Sequence, residues 1–460
     1  MSMTKGFSNA FRIPELRKKI LITLGLVFVC RLVSQIPTPG VDWTVLGEIL
    51  ADIRSRSQGG GILEMFEVFT GGALGQFAVG TLSIWPYISA QIVIQLLSSV
   101  IPSLEKLRKE GENGRQQLAQ ITRYLTIAFC VFQAWGIATV ISHPAALGFA
   151  NKVVVTSPGL GFNLMTVLCM TTASLFVMWV ADQITTFGIG NGGSLIIMIN
   201  ITSRLPRALF EAWERYFGVA GVSGTKTGSP MELVILVGFF IVVVMGTVML
   251  TQGVRKVAIH STRRAVGGGA TYGMQQTFMP LRVNYTGVMP IIFAQPLISI
   301  PATIVMKYTE AGSRLHQIAQ DLAEPTALHV CIYAVLIMFF TFFWVATQFN
   351  AIDISENLKK DGSYIPGIRP GRATAEYLDD LMTKITLIGG VGLLLVALIP
   401  MLLMRILGIP QTIASFFGGT SLLIIVGVAL DTLRIMESHL LVRKYEGFLS
   451  HGSLRGRGGN

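Results

Sequence analysis

Residues 385–404 read ITLIGGVGLLLVALIPMLLM, twenty positions without one ionisable side chain. A hydrocarbon core is crossed by about 20 apolar residues in a helix, and only helices or closed barrels satisfy every backbone polar group there. Outward from this stretch, comparable ones fall at 20–36, 76–100, 121–141, 161–181, 193–210, 231–250, 286–305, 329–348 and 412–430. The expected fold is therefore all-α, a polytopic membrane protein with ten transmembrane helices. Arg31, Asp182 and Asp431 sit toward span ends, and the polar interior candidates Gln95, Gln133 and Gln295 are uncharged. Such an interior is not built to bind ions.

Composition agrees. Of 460 residues, 51% are hydrophobic and only 13% charged, with mean hydropathy +0.60, which places the chain among membrane proteins. The formal charge of +11 belongs to loops, where a basic excess marks cytoplasmic segments and their partners. Cys30, Cys130, Cys169 and Cys331 all fall inside apolar spans without paired spacing. That implies neither a disulfide framework nor a zinc site and leaves small apolar packing as their role. The six histidines are scattered, with none at metal-ligand spacing. Gly188, Gly190 and Gly193 match a dinucleotide fingerprint in form only, because an apolar helix and not a strand precedes them. No enzyme, metal or cofactor is expected.

Arg12, Arg17, Lys18 and Lys19 stand just before the first span, with no small-residue cleavage site after it. The first span is thus expected to be retained, with the N-terminus cytoplasmic. Ten crossings return the C-terminus to the same side, which suits Arg443, Lys444 and the Gly/Arg-rich tail 452–460, expected to be disordered. Arg204, Arg207, Arg215 and Lys226 run against this topology, between the fifth and sixth spans.

Five spans is an odd number, so a division after the fifth gives halves 1–215 and 216–460 that are inverted repeats of five helices each. The second span of each half carries a comparable interruption, Ile84-Trp85-Pro86-Tyr87-Ile88 and Val288-Met289-Pro290-Ile291-Ile292. Matched Pro breaks point to a pathway between halves; Pro is also simply commoner in membrane helices than in soluble ones. Between the first two spans, Gly59-Gly60-Gly61 leads into Ile62, Met65, Phe66 and Phe69, with Gly71 and Gly72 after. These four apolar residues share one helical face. So short a helix is marginal alone, and it reads either as a movable stopper near 62–70 or as a static re-entrant helix.

Two long loops face the cytoplasm in this topology. Residues 252–285 contain no acidic side chain, while Arg255, Lys256, Arg263, Arg264 and Arg282 gather around Gly267-Gly268-Gly269. Alternation at Val257 and Ile259, with 277–283 able to pair back, predicts a projecting β-hairpin. The loop 350–384 holds Lys359, Lys360, Arg369 and Arg372, with Pro366, Gly367, Pro370 and Gly371 bracketing Arg369. Prolines that fix φ and glycines that free it hold that guanidinium on a defined turn, where it suits a carboxylate or phosphate.

The run 71–95, the turn Gly188-Ile189-Gly190-Asn191-Gly192, the hairpin ending in 281–290, the loop 359–371 and residues 418–423 together resemble the bacterial SecY family. That family supplies the channel subunits of the Sec protein-translocation machinery, and the resemblance covers nearly the whole chain in order. It implies an hourglass of two inverted halves with a lateral gate between the second and seventh spans, at Pro86, Ser89, Gln95, Pro290 and Gln295. It implies a pore ring at Ile84, Ile88, Ile197, Ile292 and Ile424, with Gly193 at a sixth ring position where the family more usually has isoleucine. Ile62, Met65, Phe66 and Phe69 match the family's plug, and Arg255, Lys256, Arg263, Arg264 and Arg369 its docking surface for the SecA motor or the ribosome. SecE and SecG would be its companions in a heterotrimer, unfolded preproteins and nascent membrane proteins its cargo, membrane lipid its surround, and a bacterial inner membrane its location. An aliphatic collar makes a dewetted neck without bonds that would hold a passing chain, and apolar segments can partition sideways into lipid. The alternative is a secondary transporter of ions or small solutes, which also uses inverted repeats and broken helices. Such proteins place ionisable groups near the midplane, where this chain has none.

Overall fold

The computed structural model describes residues 13–42, 44–49, 70–142, 154–155, 157–217, 230–261, 276–309, 312–323, 326–407, 413 and 420–451. They form two compact units. Of the described residues, the first holds those up to Arg204 and those from Val428 on; the second holds those from Leu205 to Gly427.

The first unit contains α1 (Pro14–Val33), α2 (Trp85–Val100), α3 (Pro102–Lys109), α4 (Glu112–Ser142), α5 (Leu160–Phe187) and α6 (Gly192–Thr202). Pro14 opens α1 in its first turn, with Glu15 beside it and Arg31 in the last turn, each placed favourably for the helix dipole. The second expected span is present over Val79–Ser98, but its α-helix begins only at Trp85, preceded by two 3₁₀ turns, Ala73–Gln76 and Val79–Leu82. Irregular backbone at membrane depth is tolerated only where protein buries it. Phe77, Ala78 and Leu82 are fully buried, and Thr81 nearly so. Backbone bonds from Val79 N to Ile36 O (2.8 Å) and from Thr38 N to Phe77 O (2.9 Å) fasten the segment to the chain leaving α1.

The second unit contains α7 (Leu205–Phe217), α8 (Pro230–Gln252), β1 (Val254–Ser261), β2 (Gln276–Arg282), α9 (Met289–Tyr308), α10 (Arg314–Ala323), α11 (Ala327–Gln348), α12 (Ala351–Lys360), β3 (Ser363–Tyr364) and α13 (Arg372–Leu407). The last helix, α14 (Thr420–His451), starts here and continues into the first unit. The expected fifth span is divided, α6 ending at Thr202 and α7 starting at Leu205. Pro206 lacks an N–H and crowds the residue before it, so the helix restarts there. Among the described residues, six helical stretches are long and apolar enough to cross a membrane, and the chain is a multi-pass membrane protein. Helix α8 is apolar on all sides, with mean hydropathy 3.0 across its span, as a lipid-immersed helix is.

One core of the second unit joins Leu250, Ile291, Ala294, Ile298, Tyr333 and Ile337 with residues of α13 and Leu423. A three-stranded sheet in the order β2-β1-β3 completes the unit. The predicted hairpin is present, antiparallel, with Val257 opposite Met279 and Arg255 opposite Leu281. The third strand was not expected: Ser363 and Tyr364 pair with Ser261 and His260. Val257 and Leu281 under the sheet pack with Ile365, Leu378 and Met382, so hairpin and second loop form one platform. Among the cysteines, Cys30 and Cys130 are buried, but Cys331 is exposed. Small apolar packing inside the chain is therefore not the role of all four.

Candidate functional site

In both units the motif read as a broken span is the start of a helix. Ile84 is the residue before α2, with φ −90° and ψ 0°, and Pro86 lies in the first turn. Val288 stands likewise before α9, with φ −100° and ψ −3°, and Pro290 follows in its first turn. Proline is pre-organised for that position and loses no hydrogen bond there. Ile88 N closes the first turn on Ile84 O at 3.1 Å, as Ile292 N does on Val288 O at 3.2 Å.

Ile84 and Ile88 are buried. Ile197, half-buried, lies on α6 one turn beyond Gly193. A Cβ on Gly193 would stand 3.6 Å from Ile84 Cδ1, so α6 runs beside the start of α2. In the second unit Ile291 and Leu423 belong to the core. Ile292 and Ile424, both buried, each lie one residue on, about 100° further round their helices. Pro86 and Pro290 are buried, and Ser89, Gln95 and Gln295 half-buried; the Ser89 hydroxyl donates to Trp85 O at 3.0 Å.

A polar cluster missed in the sequence holds the turn before Ile84. The Ser174 hydroxyl donates to Ser83 O at 2.5 Å, and Asn200 Nδ2 donates to Ser83 Oγ at 2.9 Å. Ser83 has φ 48°, an uncommon value for a non-glycine residue, and these bonds fix it. Arg31 Nη1 donates to Asn200 Oδ1 at 3.2 Å and Nη2 reaches Gly71 O at 3.5 Å. Asn200 inside an apolar span was the available signal, since a buried amide needs partners. Ile62, Met65, Phe66 and Phe69 lie outside the described residues, as do Gly59-Gly60-Gly61. On the far side of that segment Gly71 and Gly72 have φ 65° and 89°, values that favour glycine. The Gly71 carbonyl also lies 3.4 Å from Ser203 Oγ, whose hydroxyl donates to Asn200 O at 2.7 Å.

On the platform, Arg255 and Lys256 are exposed along β1; Arg263 and Arg264 lie outside the described residues, as does the tail 452–460. Arg369 is exposed on a turn with Gly367 at φ 81° and Gly371 at φ 102°, its carbonyl accepting the Thr374 hydroxyl at 2.9 Å. Asp182 pairs with Arg123 at 3.0 Å and Asp431 with Arg434 at 3.7 Å. Among the described residues no three His, Cys, Asp or Glu side chains gather as a metal site would require. The arrangement offers aliphatic surface at two helix starts and a basic platform.

The family model for SecY matches residues 78–433. The protein translocase subunit SecY of Thermotoga maritima is 38% identical over 459 residues, covering 99% of this chain and 100% of the relative. That of Escherichia coli K12 is 38% identical over 448 residues, 96% of each chain. Among solved structures, one of a protein-conducting channel superposes with TM-score 0.60 at 16% identity over 92% of this chain and 93% of that one. Sec61 from a canine ribosome-channel complex gives TM-score 0.57 at 16% identity over 92% and 93%. With a family model covering most of its length and full-length relatives well above 30% identity, this chain belongs to the SecY family.

Proposed function

We propose that this chain is the central subunit of a protein-conducting channel, passing unfolded secretory polypeptides across a bacterial inner membrane. Its halves, 1–215 and 216–460, are inverted repeats, and both termini are cytoplasmic. Ile84, Ile88, Ile197, Ile292 and Ile424 form the constriction, with Gly193 as a gap in it. Signal sequences and membrane spans leave sideways between α2 and α9, past Pro86, Ser89, Gln95, Pro290 and Gln295. The segment carrying Ile62, Met65, Phe66 and Phe69 stoppers the closed pore. SecE and SecG accompany the chain, and SecA or a ribosome docks on Arg255, Lys256, Arg263, Arg264 and Arg369.

The observation that supports this reading most is the matched pair of helix starts, each opened by a buried proline with aliphatic side chains around it. Such surfaces exclude ions by dewetting, yet form no specific bond to a passing chain. Nucleotide chemistry is left to a partner, so the driving force is external. A photo-crosslinking residue at Ile88 or Ile292 should capture the mature part of a stalled precursor, and one at Ser89 its signal sequence. Capture of neither, while surface positions react, would remove these residues from the path.

A further inference from the structure

Helix α7 presents three faces to three surroundings. Ala208, Ala212 and Tyr216 form the packed face: Ala212 joins Leu236, Leu403 and Ile413 in a core, with Tyr216 and Phe239 against it. Arg207, Glu211 and Glu214 form a charged face, with an Arg207–Glu211 ion pair of 3.0 Å. Between the two, at about 3.6 residues per turn, lie Leu209, Phe210, Trp213 and Phe217. Phe210, Trp213 and Phe217 are 64%, 62% and 58% exposed, and the rings of Trp213 and Phe217 meet with centroids 4.6 Å apart, tilted by 31°.

We propose that this aromatic face is a membrane anchor, seated among lipid headgroups and upper acyl chains where α8 enters the bilayer. Depth is fixed from the second unit itself. Arg215 Nη2 lies 3.9 Å from Glu232 Oε2, which ties the last turn of α7 to the first turn of α8. Helix α8 is the most apolar of the spans among the described residues, and Met231, Val234 and Ile235 on its first turns are exposed. The aromatic face of α7 therefore continues a surface that already meets lipid, at the level where the span begins. Aromatic rings favour that level, and an apolar face flanked by charge is the pattern of an interfacial helix. A protein partner on the same face is the competing occupant. The charged face beside it and the continuity with α8 favour lipid.

The proposal does not rest on the channel reading. Its test uses the full chain with SecE and SecG in vesicles of phosphatidylcholine and phosphatidylglycerol, brominated either near the headgroup or deep in the acyl chains. The Trp213 signal is the difference in emission between the wild type and Trp213→Phe. Shallow bromines should remove most of that signal and deep bromines little. Phe210→Trp in the Trp213→Phe background moves the reporter round the same face and should behave alike. A Trp213 signal untouched by either lipid would overturn the anchor. Sensitivity to aqueous iodide would then place the face in water, and insensitivity would place it under protein.

Discussion

Gly192 and Gly193 are neighbours with opposite surroundings. A Cβ on Gly192 would stand 2.0 Å from Ala181 O, whereas one on Gly193 meets nothing closer than Asn191 Oδ1 at 3.3 Å. Gly192→Ala should therefore cost about 1–3 kcal/mol through overpacking. Gly193→Ala should change stability by less than about 1 kcal/mol, because the entropy glycine loses on folding in a helix is offset by crowding of the capping Asn191 Oδ1. The thermal unfolding midpoint should fall clearly for Gly192→Ala and little for Gly193→Ala; an undiminished midpoint for Gly192→Ala would show that α6 does not run this close to α5. Gly193→Ile also places a branched side chain beside Ile84 and should lower the closed-state ion conductance in planar bilayers. Both glycines were visible in the sequence, but the approach of Ala181 was not, since it depends on how two helices meet.

The platform is the element on which the two long loops become one body. Leu281 is buried beneath the sheet with Val257, Ile365 and Leu378. Leu281→Ala should cost about 2–5 kcal/mol locally and speed trypsin cleavage at Arg255 and Lys256, whereas Phe278→Ala, at a residue 52% exposed, should not. Arg369→Glu reverses a charge on a fixed turn. Forfeiting about 1.5–3 kcal/mol of charge-assisted bonding should lower motor-driven translocation roughly tenfold or more, with the protein itself still inserted. Undiminished translocation would exclude Arg369 from docking. The hairpin was legible because β1 and β2 alternate over several residues. Strand β3 is two residues long and carries no period of its own, so only the finished fold reveals it. The Pro motifs were legible as a matched pair, though not that each stands in the first turn of its α-helix. Burial of residues 77–84 lets irregular backbone stand where a helix was expected.

For the whole molecule, apolar periodicity and the placing of charge were enough to recognise a multi-pass protein. They could not show that the fifth span restarts at Pro206 or that Arg31, Ser83, Ser174 and Asn200 cooperate, because those contacts join residues up to 169 positions apart. Removal of 62–69 should raise ion leak through the reconstituted channel. Conductance unchanged by the deletion would make that segment a static helix. The central claim is that this chain conducts polypeptides, and ATP-dependent uptake of a precursor into proteoliposomes holding the chain with SecE, SecG and SecA tests it most directly, scored by protease protection. Protection that requires both ATP and the signal sequence is the predicted result. Absence of protection, with the same partners active alongside an established channel, would contradict it.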